Sequence, residues 1–301
     1  MSSRIDHGAL VMERSRVADF ISLTKPELTF LSVLTALGGA FLGMNDLASG
    51  TMVLLHVMIG TLLVGGGAGA LNQYIERHFD RLMKRTENRP IPAGRVSAIE
   101  ALVFGVTLSL AGLIYLMLST NFLTTALAFA TLTSYLFVYT PLKRQTWVST
   151  LIGGVPGALP PVMGWTAMTG AVSVEAMVLF GILFFWQMPH FFSLAWMYRT
   201  DYERAGYPML TVLDPEGKRT SRQILGHLCG LILAAGFLAP VAGLGPVYFF
   251  GALILGVLFF WCGLTLSQSR SNASARRVFF ASLAYLPFLL ALVVLDRLVA
   301  F

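Results

Sequence analysis

"ALNQYIERHFDRLMKRTENRPIPAGR" (residues 70–95) follows a long apolar run and concentrates acidic and basic side chains in a chain that has few of either. Asn72, Glu76 and Asp80 stand four residues apart, so on an α-helix they lie along one face. Two carboxylates and an amide oxygen on one face are hard oxygen ligands, which Mg²⁺ takes and often shares with substrate phosphates. These three residues, the oxygen stripe, therefore predict a cation site at the end of a helix.

The composition is that of an integral membrane protein. The chain has 301 residues, of which 56% are hydrophobic and only 12% are charged, and its mean hydropathy is +0.72. Soluble domains carry about 25% charged residues. Residues 1–27 hold several charges and no apolar core, so we expect a cytoplasmic N-terminal tail and not a signal peptide. The net charge of +6 indicates inside-facing basic loops and no nucleic-acid partner.

Apolar segments of about 20 residues, long enough to cross a bilayer, predict nine transmembrane helices in one all-α domain, residues 28–301. The predicted spans are 28–45, 51–71, 98–118, 121–140, 148–168, 173–196, 222–243, 246–267 and 277–298. Of the 21 lysines and arginines, all but Arg297 fall on one side of this alternation. The positive-inside rule then makes the N-terminus cytoplasmic, together with two long polar loops at about 72–97 and 197–221.

Basic residues accompany the oxygen stripe. The first loop carries Arg77, Arg81, Lys84, Arg85, Arg89 and Arg95. Guanidinium and ammonium groups bind phosphate oxygens, so acids beside bases indicate a cation together with a polyanion such as a diphosphate. The alternative is a solvated loop that obeys the positive-inside rule. That alternative does not explain the regular spacing of acids at a membrane boundary, where ionisable groups are costly and often functional.

The second loop offers another wall for the same site. It reads "WQMPHFFSLAWMYRTDYERAGYPML" (residues 186–210), in which Asp201 follows a span much as Asp80 does, with Arg199 and Tyr202 beside it. An ordinary surface loop is the alternative. His190 lies in an apolar helix after a proline, where the choice is between a ligand or substrate contact and a satisfied core histidine.

Two shorter segments point to the same face. "YTPLKRQTW" (residues 139–147) supplies Tyr139, Lys143 and Arg144 as candidates for anion binding, with interfacial anchoring as the alternative. Lys25, in "LTKPE", precedes the first predicted span and can reach the same face, although this segment also suits a simple helix start.

These segments, together with "LTKPELTFLSVLTALGG" and "GGVPGALPPVMGW", resemble the UbiA-type intramembrane prenyltransferases, and within that superfamily the branch that farnesylates protohaem IX. The likeness runs from about residue 22 to residue 210. The first motif of the family is N-x-x-x-D-x-x-x-D, and here Glu76 replaces the first aspartate. The common second motif, D-x-x-x-D, is also absent because Ala205 stands four residues after Asp201; the arginine-and-DY version of the haem branch fits better.

The resemblance implies a nine-helix bundle with a central cavity, which transfers a farnesyl group from farnesyl diphosphate to a vinyl group of haem B and so makes haem O. It implies Mg²⁺ as cofactor and a haem A synthase or terminal oxidase as a candidate partner. The expected metal ligands are Asn72, Glu76, Asp80 and Asp201, which with Tyr202 form the catalytic set. The expected diphosphate-binding residues are Lys25, Arg77, Lys84, Arg85, Arg89, Tyr139, Lys143, Arg144 and Arg199, and His190 is expected to contact haem.

Two other functions compete with this interpretation. The first is a related enzyme that prenylates a quinone precursor or another tetrapyrrole. The second is a transporter, since helices broken by proline and glycine suit one. The ionisable residues collect at one face of the membrane and not at its midplane, which favours the enzyme.

Overall fold

The computed structural model of the chain describes residues 15–44 and 46–299, and the regular elements in that part are helices. They are α1 Arg16–Leu23, α2 Pro26–Leu42, α3 Leu47–Asp80, α4 Ala98–Ser119, α5 Phe122–Thr133, a π-helical segment Ser134–Tyr139, α6 Thr140–Leu142, α7 Ser149–Thr169, α8 Val174–Met197, α9 Arg199–Arg204, α10 Leu210–Leu213, α11 Lys218–Ala242, α12 Pro246–Ser269 and α13 Asn272–Val299. The prediction of an all-α fold is confirmed for the described residues.

Seven helices of the described residues are long and apolar enough to cross a membrane. An eighth span results if α1 and α2, which meet at an angle of 49°, are taken as one broken segment. The helix α7 is not among them, because its glycines, prolines and threonines dilute its apolar side chains. The chain is therefore a multi-pass membrane protein by length and composition, and the count of nine spans stays a prediction.

The helix α7 lies at the centre of the bundle, where it packs against α2, α3, α5 and α8. Glycines let α2 and α7 approach backbone to backbone. A Cβ atom at Gly39 would lie 2.0 Å from the carbonyl oxygen of Pro161, and one at Gly164 would lie 1.8 Å from that of Ala36. Close approach of small residues is a usual way to pack helices in a bilayer, and it places "GGVPGALPPVMGW" in the core.

The first charged loop is shorter than the sequence predicts. The helix α3 continues to Asp80, nine residues into the predicted loop of 72–97. The chain then turns until α4 begins with a capping box, in which Ser97 and Glu100 satisfy each other's backbone N–H groups. Part of the predicted N-terminal tail is also helical, since α1 lies within it; residues 1–14 lie outside the described residues.

The second charged loop folds into two short helices, α9 and α10, and packs against the first loop. Its Tyr202, Tyr207 and Met209 form an apolar cluster with Met83 of the first loop. The phenyl ring of Phe79 contacts Tyr207 edge to face, with 6.0 Å between ring centroids. Apolar packing thus holds the two loops together at one end of the bundle.

Candidate active site

The oxygen stripe lies on the last turns of α3 and is buried. Asn72, Glu76 and Asp80 are 1%, 6% and 0% exposed, respectively. Buried carboxylates require compensating charges, because an unpaired charge in the interior is strongly unfavourable. The basic groups come from the break between α1 and α2, from the segment after α6 and from the loop after α3, and each member of the stripe has its own partner.

Asn72 is held between two segments. Its Oδ1 accepts a hydrogen bond from Nζ of Lys25, and its Nδ2 donates to Oγ1 of Thr140 at 3.1 Å. Lys25 stands at the break between α1 and α2 with φ 49° and ψ 62°. Pro26 disfavours the right-handed helical conformation in the residue before it, and the left-handed alternative is costly for a side chain with a Cβ atom. This backbone conformation places the ammonium group of Lys25 beside Asn72.

Glu76 has two partners. Nζ of Lys143 lies 3.0 Å from its Oε1, and the hydroxyl of Tyr207 donates to the same oxygen at 3.4 Å. Lys143 follows α6 and is almost as buried as Glu76. Burial acts to lower the pKa of Lys143, but the Glu76 carboxylate together with Tyr139, Tyr202 and Tyr207 outweighs this effect and holds the pKa well above its ordinary value. Lys143 therefore stays charged and balances Glu76.

Asp80 is paired within its own loop. One guanidinium nitrogen of Arg89 lies 2.8 Å from each carboxylate oxygen of Asp80. The hydroxyl of Thr86 donates to the Asp80 backbone carbonyl at 2.8 Å, which closes the turn that brings Arg89 back. The site thus gathers Lys25, Lys143 and Arg89 around two carboxylates and one amide.

An apolar cavity of about 260 Å³ opens beside this cluster. It is enclosed by α2, α3, the segment from α5 through the π-helix, α7 and α8. Lys25 lines it, as do the stacked rings of Tyr135 and Tyr139, which lie 5.7 Å apart. A π-helical turn within a helix often marks a functional site, and this one carries both tyrosines. The charged cluster therefore borders an apolar chamber.

His190 lies in the wall of the same cavity. Its Nδ1 is 2.8 Å from the hydroxyl oxygen of Ser282, and its ring stacks on those of Trp186 and Phe279. It is 7% exposed. His190 is thus a core histidine with a hydrogen-bond partner on one ring nitrogen, and it also lines the cavity, where it can contact a substrate.

The second loop contributes aromatic rings more than carboxylates. Arg85 donates to the hydroxyl of Tyr202 at 3.1 Å and lies over its ring. Asp201 contacts Arg204, one turn away, at 3.7 Å, and Arg199 donates to the carbonyl of Pro215 at 3.3 Å. Among the described residues, no three His, Cys, Asp or Glu side chains are grouped to hold a metal ion. The predicted metal role of Asp201 therefore stays a prediction.

The other predicted anion-binding residues take different positions. Arg144 lies over the ring of Phe79, with 4.5 Å from its Cζ to the centroid, at the edge of the cluster. Lys84 is exposed. Arg77 donates to the backbone carbonyl of Tyr74 at 2.7 Å and lines a separate surface pocket. One residue along a helix is a rotation of about 100°, so Arg77 points away from Glu76.

Two polar partners of the site are absent from the residues predicted by sequence. Tyr207 is 1% exposed and donates to Glu76, and Thr140 accepts from Asn72. Gly206, with φ +71°, makes the turn that brings Tyr207 inward. The Gly–Tyr–Pro stretch was a visible turn signal, but its contact with Glu76 spans 131 positions of sequence, which no local pattern reveals.

A family model provides the decisive comparison. The model of the UbiA prenyltransferase family matches residues 32–286. The chain belongs to this family. The resemblance that the sequence motifs carry is therefore confirmed, and the buried cluster at the end of α3 is the candidate active site of a UbiA-type prenyltransferase.

Curated relatives and solved structures agree with this membership. The chain is 45% identical over 287 residues to "Protoheme IX farnesyltransferase" of Solibacter usitatus, covering 93% of this chain and 98% of that one. It is 42% identical to the protein of the same name from Koribacter versatilis, covering 94% of each. Its fold resembles that of a UbiA homologue from Aeropyrum pernix, with a TM-score of 0.71 and 20% identity over 90% of this chain and 98% of that one. It also resembles a UbiA homologue from Archaeoglobus fulgidus bound to GPP and Mg²⁺, with a TM-score of 0.63 and 15% identity over 91% and 99%.

Proposed function

We propose that the protein transfers a farnesyl group from farnesyl diphosphate to a vinyl group of haem B and so forms haem O. The names of relatives that match most of both chains support this substrate pair. The observation that carries the proposal is the cavity itself, since Lys25 of the charged cluster and His190 of α8 line the same apolar chamber. The proposed diphosphate site and the proposed haem contact thus border one chamber.

The oxygen stripe would hold Mg²⁺. Two carboxylates and an amide are suitable donors, and Mg²⁺ in proteins commonly uses one or two carboxylates beside substrate phosphates. In this structure Asn72, Glu76 and Asp80 each bond a basic side chain, so a bound Mg²⁺ would replace Lys25, Lys143 and Arg89 as the positive partner of these oxygens. When bound, Mg²⁺ neutralises negative charge that develops on the departing diphosphate.

The basic side chains around the stripe are proposed to bind the diphosphate. Lys25, Lys143 and Arg89 balance the stripe in this structure, and with Mg²⁺ on the carboxylates their N–H donors would become available to diphosphate oxygens. Arg85 and Arg144 lie at the edge of the same cluster and extend this basic surface, and Tyr139 would add a phenol as a hydrogen-bond donor. Lys84 and Arg199 are weaker candidates, because no described contact joins them to the cluster. Bases at the leaving group lower the cost of breaking the carbon–oxygen bond of the prenyl donor.

The chemistry balances with water as the third reactant. The bond between C1 of the farnesyl group and oxygen breaks, and its electron pair leaves with the diphosphate. The terminal vinyl carbon of haem B then bonds to C1, and water adds to the adjacent carbon and loses a proton, which leaves a hydroxyethyl group. The apolar lining of the cavity keeps bulk water from the allylic cation before the vinyl group reaches it.

The remaining roles belong to the second loop and to the location of the site. Asp201 and Tyr202 are proposed as a second catalytic wall, and His190 as a haem contact. The site is proposed to face the cytoplasm, within a nine-helix domain of residues 28–301. A haem A synthase or terminal oxidase that takes the product is proposed from the nature of haem O alone.

The test is a product assay. Membranes that contain the protein, supplied with farnesyl diphosphate, Mg²⁺ and haem B, are expected to yield haem O by mass spectrometry, and chelation of Mg²⁺ should stop its formation. Membranes with His190→Ala should bind haem B less tightly in difference spectra. Prenylation of 4-hydroxybenzoate with no haem O would overturn the proposal in favour of a quinone-pathway enzyme. Uptake of a solute without release of diphosphate would indicate a transporter.

A further inference from the structure

A second pocket opens on the surface next to α1, at the same end of the bundle as the oxygen stripe. It has a volume of about 460 Å³ and lies between α1, the end of α3, the first loop and the start of α4. We call it the arginine pocket, because its ionisable lining residues are Arg16, Arg77, Arg81, Arg95, His78 and Glu100. It shares no lining residue with the apolar cavity, so it is a separate site.

The arginine pocket has more positive than negative charge. Arg16 pairs with Glu100, and Arg95 pairs with the buried Asp19 at 2.9 Å. Arg77 uses one guanidinium nitrogen on a backbone carbonyl and stacks over the ring of Tyr74. Arg81 is exposed and makes no hydrogen bond or ion pair with the described residues. Two guanidinium groups therefore face the pocket without an acidic partner.

Exposed apolar side chains flank this charge. Val17 and Ile21 of α1 are 68% and 55% exposed, and Ile99 and Val103 of α4 are 74% and 59% exposed. On α1 these two residues stand opposite the buried Asp19, so the helix is amphipathic with its apolar side outward. Such a helix lies in the boundary between headgroups and acyl chains. The arginine pocket thus combines unpaired bases with a surface suited to lipid.

We propose that the arginine pocket binds the phosphate of an anionic phospholipid headgroup. Arginine binds phosphate oxygens through two parallel N–H donors, and basic pockets between transmembrane helices on the cytoplasmic side are a known way to hold anionic lipids. The bound lipid would join α1 to α4 and so support Lys25, which stands at the end of α1. The proposal does not depend on the identity of the prenyl acceptor.

Lipid retention tests the proposal in the absence of substrates. The purified protein is exchanged into detergent with either phosphatidylglycerol or phosphatidylcholine, and retained lipid is counted by native mass spectrometry. We expect the wild type to retain phosphatidylglycerol selectively. Loss of each arginine should weaken binding about fivefold, so Arg77→Gln/Arg81→Gln should lower the affinity by at least about tenfold. Arg222→Gln removes an exposed arginine outside the pocket and should retain the lipid.

The remaining arms separate the alternatives. The single variant Arg81→Gln, whose side chain supports no contact in the fold, repeats the test if the double variant does not fold. Equal retention of phosphatidylglycerol by Arg81→Gln and wild type would overturn the proposal, as would equal retention of the two lipids by the wild type. A pocket that takes inorganic phosphate and ignores phosphatidylglycerol would assign it to a soluble anion.

Discussion

The two charged loops occupy the same end of the bundle, yet they differ in how deeply their acidic side chains are buried and how closely these are paired. In the first loop region, Glu76 and Asp80 are buried and each is bonded to a base, Lys143 at 3.0 Å and Arg89 at 2.8 Å. In the second loop, Asp201 is more exposed than either, and its ion pair among the described residues is with Arg204, on its own helix, at 3.7 Å. Its aromatic residues, by contrast, are buried against the first loop.

This difference indicates a division of labour. Burying two carboxylates costs free energy, and the fold can tolerate this cost only if basic groups balance the charges. Here one of these groups, Lys143, lies far along the chain from its partner Glu76. The second loop buries its own carboxylate, Asp201, less completely, and it supplies Tyr207 to Glu76 and Tyr202 to Arg85. The first loop therefore holds the charge of the site, and the second loop encloses it.

The largest effect is expected at Asp80. Asp80→Ala removes a proposed metal ligand and leaves the charge of Arg89 unbalanced, so haem O formation should fall by about 100- to 1,000-fold. Asp80→Asn keeps the shape and should fall nearly as far, since the charge is what matters. Haem O is measured by mass spectrometry and membrane content by immunoblot, with the exposed Glu216→Gln as control. Normal turnover in Asp80→Asn would remove Asp80 from the site.

Lys143 should show the next largest effect, and it should appear in stability as well as in turnover. Lys143→Met leaves Glu76 buried without its partner, which costs about 3 kcal/mol in comparable pairs. Thermal unfolding in detergent without substrate measures this, and Lys218→Met, which removes an exposed lysine with a surface partner, is the control. Equal unfolding temperatures for the two variants would show that Glu76 is balanced by another group.

The same pair gives a pH dependence. The pKa of Lys143 is raised by Glu76, so its contribution to stability is complete below the ordinary lysine pKa and is lost only as pH rises through the higher folded value. The difference in stability between wild type and Lys143→Met should therefore stay constant from neutral pH up to about 10. A decline between pH 7 and about 9 would mean that Lys143 is less strongly coupled to Glu76 than the structure indicates.

Much of this arrangement is predictable from sequence, and the limits have physical causes. Helical spacing alone places Asn72, Glu76 and Asp80 on one face, because the periodicity of a helix is local. Hydropathy falls at Asn72, so the apolar span predicted from sequence ends at residue 71, whereas the helix continues to Asp80, as the spacing of the stripe requires. The pairing of Glu76 with Lys143 and Tyr207 is a tertiary contact, and neither hydropathy nor spacing carries that information. Arg77 shows that residue type alone can mislead. An arginine suits a diphosphate, but this one points away from the stripe and lines a separate pocket.

Asp201 tests whether the two loops divide the work as described. Asp201→Asn should lower haem O formation by about tenfold, less than Asp80→Asn does, because the Asp201 carboxylate is less buried than that of Asp80 and its arginine partner is more distant, at 3.7 Å against 2.8 Å. The two variants are compared in the same membranes over a range of Mg²⁺ concentrations. A loss equal to that of Asp80→Asn, rescued by more Mg²⁺, would place both aspartates on the metal and would remove the contrast between the loops.

The smallest effect is expected where the chain departs from its family motif. Glu76→Asp restores the usual aspartate and keeps the charge, so turnover should fall by no more than about threefold, the equivalent of less than 1 kcal/mol. Lys143 has a flexible four-carbon stem and can follow the shorter carboxylate. The hydroxyl of Tyr207 is fixed by its buried ring and cannot follow the shorter carboxylate, so its 3.4 Å hydrogen bond to Glu76 should be lost.

Tyr207→Phe measures that loss separately. If the hydroxyl contributes as a typical hydrogen bond, Tyr207→Phe and Glu76→Asp should each cost about a few-fold in turnover, and the double variant should cost no more than the larger of the two. Additive losses would mean that Tyr207 acts on another partner. An inactive Glu76→Asp would mean that the length of glutamate is required, and that the first loop of this protein is built around the longer side chain.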